Sequence, residues 1–502
     1  MASSSLVTAT IFLIIAYAGI ILFLVIRGAR QTKSLGDYAL GSVAFHPVMV
    51  GLSLAASMTS AATFIINPGF IALYGLSGVL SYAVFMPLAL YVSLIVLTKA
   101  FRRHGKAVKA LTMAQWMGTR YNSKGFGLYF AVLSLLLITF IVLIAVGMTK
   151  VLASALNANE MWVLGGLIIF IFGYMMFGGA NSMVYTNAIQ AGIMIIVAIL
   201  LLTSGYEHFK GGVMAFMGKL EAIDPMLASW KNPSSPLFRD AFEIIFCAMV
   251  VGMAIVCQPH IITRSMLLKE EGHVNTFLLT TILVQILFFS VVIAGLYARL
   301  QFPDLTVDGT PLKMDGIIPA YVVAEFVVWV GLIVIIGLLS AGLSTLENLI
   351  QSVSTTITAD IIQPITGLKE GEGQGQKVVW INRGVIVILA LVSFLFSRDQ
   401  LLHPALSVGI FAQNGVYAYF SAAFIPVLFG IFIKNVHRAA PIAASLAALI
   451  THFAVYYGQL TPYTTGAVRN PAVAATCAIL VAVNTGLLVH FATRSKVKAA
   501  KV

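Results

Sequence analysis

Leu6 to Ile26 runs for 21 residues without a charge, and similar runs recur along nearly the whole chain. A helix of that length spans a hydrocarbon core of about 30 Å. In lipid every backbone polar group must be satisfied within the chain, so runs of this length dictate helices. The composition agrees: 60% of residues are hydrophobic and 10% are charged, with mean hydropathy +0.97, against about 25% charged in soluble domains. The expected fold class is therefore all-α, a polytopic membrane protein. Nothing basic precedes Leu6 and no small-residue cleavage site follows Ile26, so the first run reads as a retained span and not a signal peptide.

The runs divide into thirteen expected spans, at 6–26, 45–73, 77–98, 126–153, 160–178, 183–204, 239–258, 274–299, 318–347, 378–397, 403–432, 439–457 and 471–493. The second and ninth exceed one crossing, which allows tilt, a break or an extension. An odd number puts the termini on opposite sides. With the N-terminus outside, 21 of the 30 Lys and Arg face the cytoplasm, among them Arg102, Lys109, Arg264, Lys269, Lys369 and Lys501. The opposite loops hold Glu207, Asp224, Asp304, Asp308 and Asp315. The positive-inside rule then predicts N-out, C-in. The net charge of +12 is thereby a topology and lipid-surface signal, and no nucleic-acid partner is expected. The whole of 1–502 reads as one membrane domain. The longest external loop, 205–238, is too short to fold alone, and Gly367 to Gln376 is a glycine-rich linker.

Cys247, Cys257 and Cys477 lie in apolar segments without metal-site spacing. No nucleotide loop, metal-spaced His cluster or strained nucleophile turn occurs, so an enzyme is not expected, nor any organic cofactor.

Two polar lines interrupt this apolar sequence. Ala341-Gly-Leu-Ser344-Thr345-Leu-Glu347-Asn348 lies within a long hydrophobic stretch. Ser344, Glu347 and Asn348 fall three and four residues apart and share a helix face. Hydroxyls there can simply bond back to their own helix, but a carboxylate at bilayer depth must face a cavity, a partner or an ion. The second span reads Ala56-Ser-Met-Thr59-Ser60-Ala-Ala-Thr63-Phe64-Ile-Ile-Asn67-Pro68-Gly69. Small residues there could serve close helix packing. The Asn-Pro-Gly ending favours a helix broken at that point, with carbonyl oxygens turned toward a cation.

Three stretches carry a resemblance to the sodium:solute symporter family. Ala56-Ser-Met-Thr-Ser60-Ala-Ala-Thr63 is similar to that family's second-helix motif. Ala341-Gly-Leu-Ser344-Thr345 is similar to the ninth-helix motif, and Phe177-Gly-Gly-Ala-Asn-Ser-Met-Val-Tyr-Thr186-Asn187-Ala-Ile-Gln190 to the sixth. The resemblance implies the leucine-transporter fold, with inverted five-helix repeats at 45–204 and 239–432, a peripheral helix at 6–26 and two extra helices at 439–493. It also implies sodium as coupling ion, held by the carbonyls of Ala56, Thr59 and Ala341 and the hydroxyls of Ser344 and Thr345. The family usually has Asp where this chain has Asn187. The acid would then have moved across to Glu347, which with Asn187 and Asn348 could hold a second cation, take up a proton or bond structurally.

Cys257-Gln258-Pro259-His260-Ile-Ile-Thr-Arg264 resembles members carrying proline, pantothenate and short monocarboxylates. Its residues themselves read as a helix end, stopped by Pro259, with Arg264 at the headgroups. A substrate is expected beside the broken helix, at Ser60, Thr63 and Phe64. Ser81, Tyr82, Glu243, Met249, Gln413 and Asn414 are further candidates, each also explicable as packing. The expected function is sodium-coupled symport of a small organic solute, a monocarboxylate or amino-acid-like anion, across a bacterial inner membrane. Proton coupling, or a sugar or vitamin cargo, are the alternatives. A channel would want a continuous polar pore, and a sensor an appended signalling domain.

Overall fold

In the computed structural model, residues 4–42, 44–108, 110–268, 270–307, 309–368, 375–403 and 408–499 are described. Lys109, Lys269, Lys369, Lys501 and Asp308 lie outside the described residues, as do the centre of the expected linker and 404–407 of the eleventh expected span. Apart from a two-residue strand pair, Thr306–Val307 with Thr310–Pro311, the secondary structure is helical.

The membrane elements run in chain order as α1 (Ser4–Ala29), α2 (Pro47–Met58), α3 (Ala62–Tyr74), α4 (Leu76–Arg102), α5 (Lys124–Leu156), α6 (Glu160–Met175) and α7 (Ala180–Ser204). They continue as α8 (Phe242–Ile255), α9 (Pro259–Leu267), α10 (Val274–Gln301), α11 (Val328–Thr366), α12 (Gly375–Leu402), α13 (Val408–Phe432), α14 (Ala439–Gly458) and α15 (Pro471–Arg494). Ten of these are each long and apolar enough to cross a membrane, and the bent pairs α2/α3 and α8/α9 bring the number to twelve among the described residues. The helix α6, at 16 residues, is a shorter apolar helix at the place of the fifth expected span.

Burial separates centre from periphery. In the most apolar 18 residues of α13, 89% are buried, against 22% in α1. Phe12 of α1 is 71% exposed, a lipid-facing ring. Around the centre, α7 packs on α2 and α11, and α13 on α5, α14 and α15.

Two breaks organise this centre. The helices α2 and α3 meet at 54°. The interruption falls at Thr59 to Ala61 and not at Asn67-Pro68-Gly69, where the sequence points. The Ser60 hydroxyl accepts from the Ala62 N–H at 3.1 Å and caps the start of α3. Pro68 lies in the first turn of a regular helix, directly after a π-helical turn over Ala62–Ile66. That wide turn absorbs the ring and its missing N–H without ending the helix. Gly69 serves packing: a Cβ there would lie 2.5 Å from the Met314 carbonyl oxygen.

The second bend, 60° between α8 and α9, follows Val256 to Gln258. Pro259 begins α9 where its missing N–H costs nothing. The chain therefore turns at Pro259 instead of stopping, and the turn carries Arg264 inward, with 4% of its surface exposed. The expected headgroup position for Arg264 is thereby replaced by a buried one.

Candidate functional site

The break between α2 and α3 lies against the middle of α11. Ser344 and Thr345 are fully buried, and each hydroxyl reaches two carbonyls. Ser344 Oγ donates to Ala56 O at 2.9 Å and to Ala341 O at 3.2 Å. Thr345 Oγ1 donates to Ser57 O at 3.0 Å and to Ala341 O at 3.3 Å. Ala56, Ala341, Ser344 and Thr345 thus lie together in the structure. The Ser57 carbonyl joins them, an oxygen that the sequence reading missed. Thr59 follows at the unwound end of α2, with φ −105° and ψ 87°. Its hydroxyl lies 3.4 Å from Gln285 Nε2 of α10. Each hydroxyl keeps lone pairs besides its hydrogen, so this cluster of neutral oxygens can offer itself to a small hard monovalent cation.

One turn along α11 lies a second buried cluster. Glu347 is 1% exposed. Tyr174 of α6 donates to Oε1 at 2.6 Å, and Thr186 of α7 to Oε2 at 3.0 Å. Gln190 Nε2 is 3.4 Å from Oε1. The orientation of the Asn187 amide is assigned from its hydrogen-bond partners. With its nitrogen toward Glu347 it donates to Oε2 at 3.0 Å and to Gln190 Oε1 at 3.0 Å. Its oxygen then accepts from Arg264 Nη2 at 2.9 Å and from Asn348 Nδ2 at 2.8 Å. Arg264 Nη2 also donates to Ser53 Oγ of α2 at 2.7 Å. Asn187, Glu347 and Asn348 therefore form one cluster, and Arg264 is its unforeseen fourth member.

Beside the break opens a cavity with about 790 Å³ of atom-free space, open solvent included. Ser60, Thr63 and Gln413 line it, with Gln258 and His260 at the second bend. Its body is apolar, built from Met86, Phe140, Ile255, Phe289 and Phe420 among others, and among the described residues no Lys, Arg, Asp or Glu lines it. Phe64 is fully buried and packs edge-on against Phe288 at 5.6 Å, away from the cavity wall. Ser81, Tyr82 and Glu243 border a separate pocket that also touches Gln413, and Gln413 Nε2 lies 3.3 Å from the Tyr82 hydroxyl. Asn414 turns away, donating to Tyr457 at 3.1 Å and meeting His452 Nε2 at 3.0 Å. Met249 lies in α8 and lines neither space. A further cleft of about 460 Å³ carries Arg264 and Asn348, and His260 borders both it and the larger cavity. Gln258, His260 and Arg264 read in the sequence as a helix end, because a Pro followed by a basic residue does not distinguish a stop from a bend.

The model of the sodium:solute symporter family matches residues 38–447. The chain is 30% identical to the sodium/pantothenate symporter of Escherichia coli over 58% of its length, a match spanning 61% of that relative, under two thirds. The Haemophilus influenzae sodium/pantothenate symporter is 27% identical, covering 78% of this chain and 79% of its own. A sodium/proline symporter of Staphylococcus saprophyticus is 24% identical over 88% of this chain and 84% of its own. In three dimensions the chain resembles a Na+-coupled sialic acid symporter, with TM-score 0.74 at 16% identity, covering 95% of this chain and 98% of that one. A nucleobase-cation-symport-1 family transporter gives TM-score 0.52 at 12% identity, over 93% and 96%. These likenesses identify a membrane transporter fold of the leucine-transporter type, and the chain belongs to the sodium:solute symporter family.

Proposed function

We propose that this protein is a sodium-coupled symporter of a small organic anion or zwitterion, a monocarboxylate or amino-acid-like solute, working by alternating access. One observation carries the reading. The hydroxyls of Ser344 and Thr345 reach the carbonyls of Ala56 and Ser57 at the end of α2, just before its break, and the Ala341 carbonyl one turn back on α11 itself, with Ser57 also lining the large cavity. Sodium would be held there by Ala56, Thr59, Ala341, Ser344 and Thr345, with Ser57 in addition. A cluster of neutral oxygens binds such an ion at moderate affinity, and release requires that it not bind too tightly.

The cavity supports the cargo class. Its apolar body suits an aliphatic solute, and Ser60, Thr63 and the start of α3 offer hydroxyls and a positive dipole end to one carboxylate. A polyanion would find no lysine or arginine among the lining residues. Pantothenate and proline, cargoes of similar proteins, are the first solutes to try. A bent pair opens each expected half, at 45–204 and at 239–432, which supports reading the halves as repeats that rock against each other.

Reconstituted liposomes provide the test. Uptake of radiolabelled pantothenate, proline, short monocarboxylates and sugars is measured with sodium, and with potassium in its place. Sodium-dependent accumulation of one solute is expected. Accumulation without sodium that follows an imposed pH gradient would overturn the sodium reading and favour Glu347 as a proton site.

A further inference from the structure

We infer that Arg264 is a tethered cation which, through Asn187, balances Glu347, so that this cluster takes no second coupling ion and one sodium accompanies each solute. This inference rests on the sodium-coupled reading and deepens it.

An ionised carboxylate offers about four lone-pair directions. Around Glu347, four donors from this chain take them: Tyr174 at 2.6 Å and Gln190 at 3.4 Å on Oε1, Thr186 at 3.0 Å and Asn187 at 3.0 Å on Oε2. An entering cation would have to displace these donors. Buried charge nevertheless needs an opposite charge. Glu347 makes no direct ion pair among the described residues. Its counter-charge stands one amide away, where the Arg264 guanidinium meets the oxygen of the same Asn187 whose nitrogen meets the carboxylate.

This geometry calls for an amide at position 187. Asn both donates and accepts, so it can face a carboxylate on one side and a guanidinium on the other. Asp could only accept, and would set a second negative charge against Glu347. The four participants come from four elements: Ser53 on α2, Asn187 on α7, Arg264 on α9 and Glu347 on α11. Asn348 joins the relay to the proposed sodium site, since its Nδ2 contacts both the Asn187 oxygen and the Ser344 carbonyl. The Arg264–Asn187–Glu347 chain thus joins α9, α7 and α11 one turn from Ser344, and Ser53 ties it to α2.

Equilibrium binding of radiosodium to the purified full chain tests this directly. The wild type is expected to bind one ion per chain with a Hill coefficient of one. Arg264→Gln keeps a hydrogen-bond donor but removes the charge, and is expected to bind two. Arg264→Lys and the double variant Arg264→Gln/Glu347→Gln are expected to bind one. Asn187→Asp, which adds an acid while keeping the Arg264 charge, should also bind two. Should Arg264→Gln not fold, the wild-type and Asn187→Asp counts decide. Two ions bound by the wild type would overturn the inference and leave the sodium reading standing. A folded Arg264→Gln or Asn187→Asp that stays at one would overturn it too. No bound sodium in the wild type would overturn both.

Discussion

Ser344 and Thr345 each join α11 to the broken α2 through one hydroxyl. Ser344→Ala or Thr345→Ala removes an oxygen from the proposed sodium site together with hydrogen bonds worth about 0.5–1.5 kcal/mol each. The sodium concentration for half-maximal uptake is expected to rise roughly tenfold in either variant, which corresponds to about 1.4 kcal/mol. Unchanged sodium dependence in both would remove these residues from the site. Glu347→Gln acts differently, because it strands Arg264. Removing one partner of a buried pair costs about 3–5 kcal/mol, while replacing both is far cheaper. Thermal unfolding in detergent should therefore drop steeply for Glu347→Gln and recover in Arg264→Gln/Glu347→Gln. Two single losses that simply add would mean that the residues are not coupled. At this scale the sequence was informative where chemistry is costly: hydroxyls and an acid amid apolar residues singled out Ser344, Thr345 and Glu347, which the structure buries in two neighbouring clusters. Arg264 was illegible for a physical reason. A Pro followed by a basic residue looks the same whether the helix stops at the headgroups or bends back into the core.

At the scale of elements, the first break was foreseen more securely than its position, and the second was read as a helix end. Small and polar residues from Ala56 to Gly69 marked the first bent helix, and Asn67-Pro68-Gly69 looked like its hinge. The hinge instead is Thr59 to Ala61, because a Ser60 cap starts α3 cleanly while a π-helical turn absorbs Pro68. Neither the cap nor the wide turn follows from composition alone. What holds α3 in place is close backbone approach. A Cβ on Gly295 of α10 would lie 2.1 Å from the Pro68 carbonyl oxygen, and backbone there cannot yield cheaply. Gly342 of α11 is crowded by the Met148 sulfur at 2.3 Å, the far part of a flexible side chain. Gly295→Ala is thus expected to cost about 1–3 kcal/mol or more, and Gly342→Ala less. Melting temperatures of the two purified variants check the order. A larger loss for Gly342→Ala would mean that α3 can move away from α10.

For the whole molecule, the helical membrane class was legible throughout, since uncharged runs of spanning length admit few other solutions. The inside–outside assignment rests on loop charge, and the structure refines which charges count. Arg102 donates to the carbonyls of Ser265 and Glu270, and Arg264 lies within the core. Both were tallied as cytoplasmic loop charges, yet both are spent on internal contacts, and their removal leaves the bias in place. Under the N-out assignment the remaining basic loop positions, including Arg120, Lys124, Lys434 and Arg438, would still fall on one side, and the positive-inside rule depends on such flanking charges. If the N-terminus is outside, the loop joining α14 to α15 and the helix Gly212–Ile223 face outward, and the turn after α13 faces the cytoplasm. On a background with Cys247, Cys257 and Cys477 replaced by alanine, a membrane-impermeant thiol reagent applied to intact cells should label Ala222→Cys and Thr465→Cys. Asn435→Cys should react only after permeabilisation. All three positions are exposed, so accessibility alone does not separate them and only the sidedness of the membrane can. Labelling of Asn435→Cys in intact cells, with protection of the other two, would invert the protein. The proposed sodium path would then have to run from the opposite face.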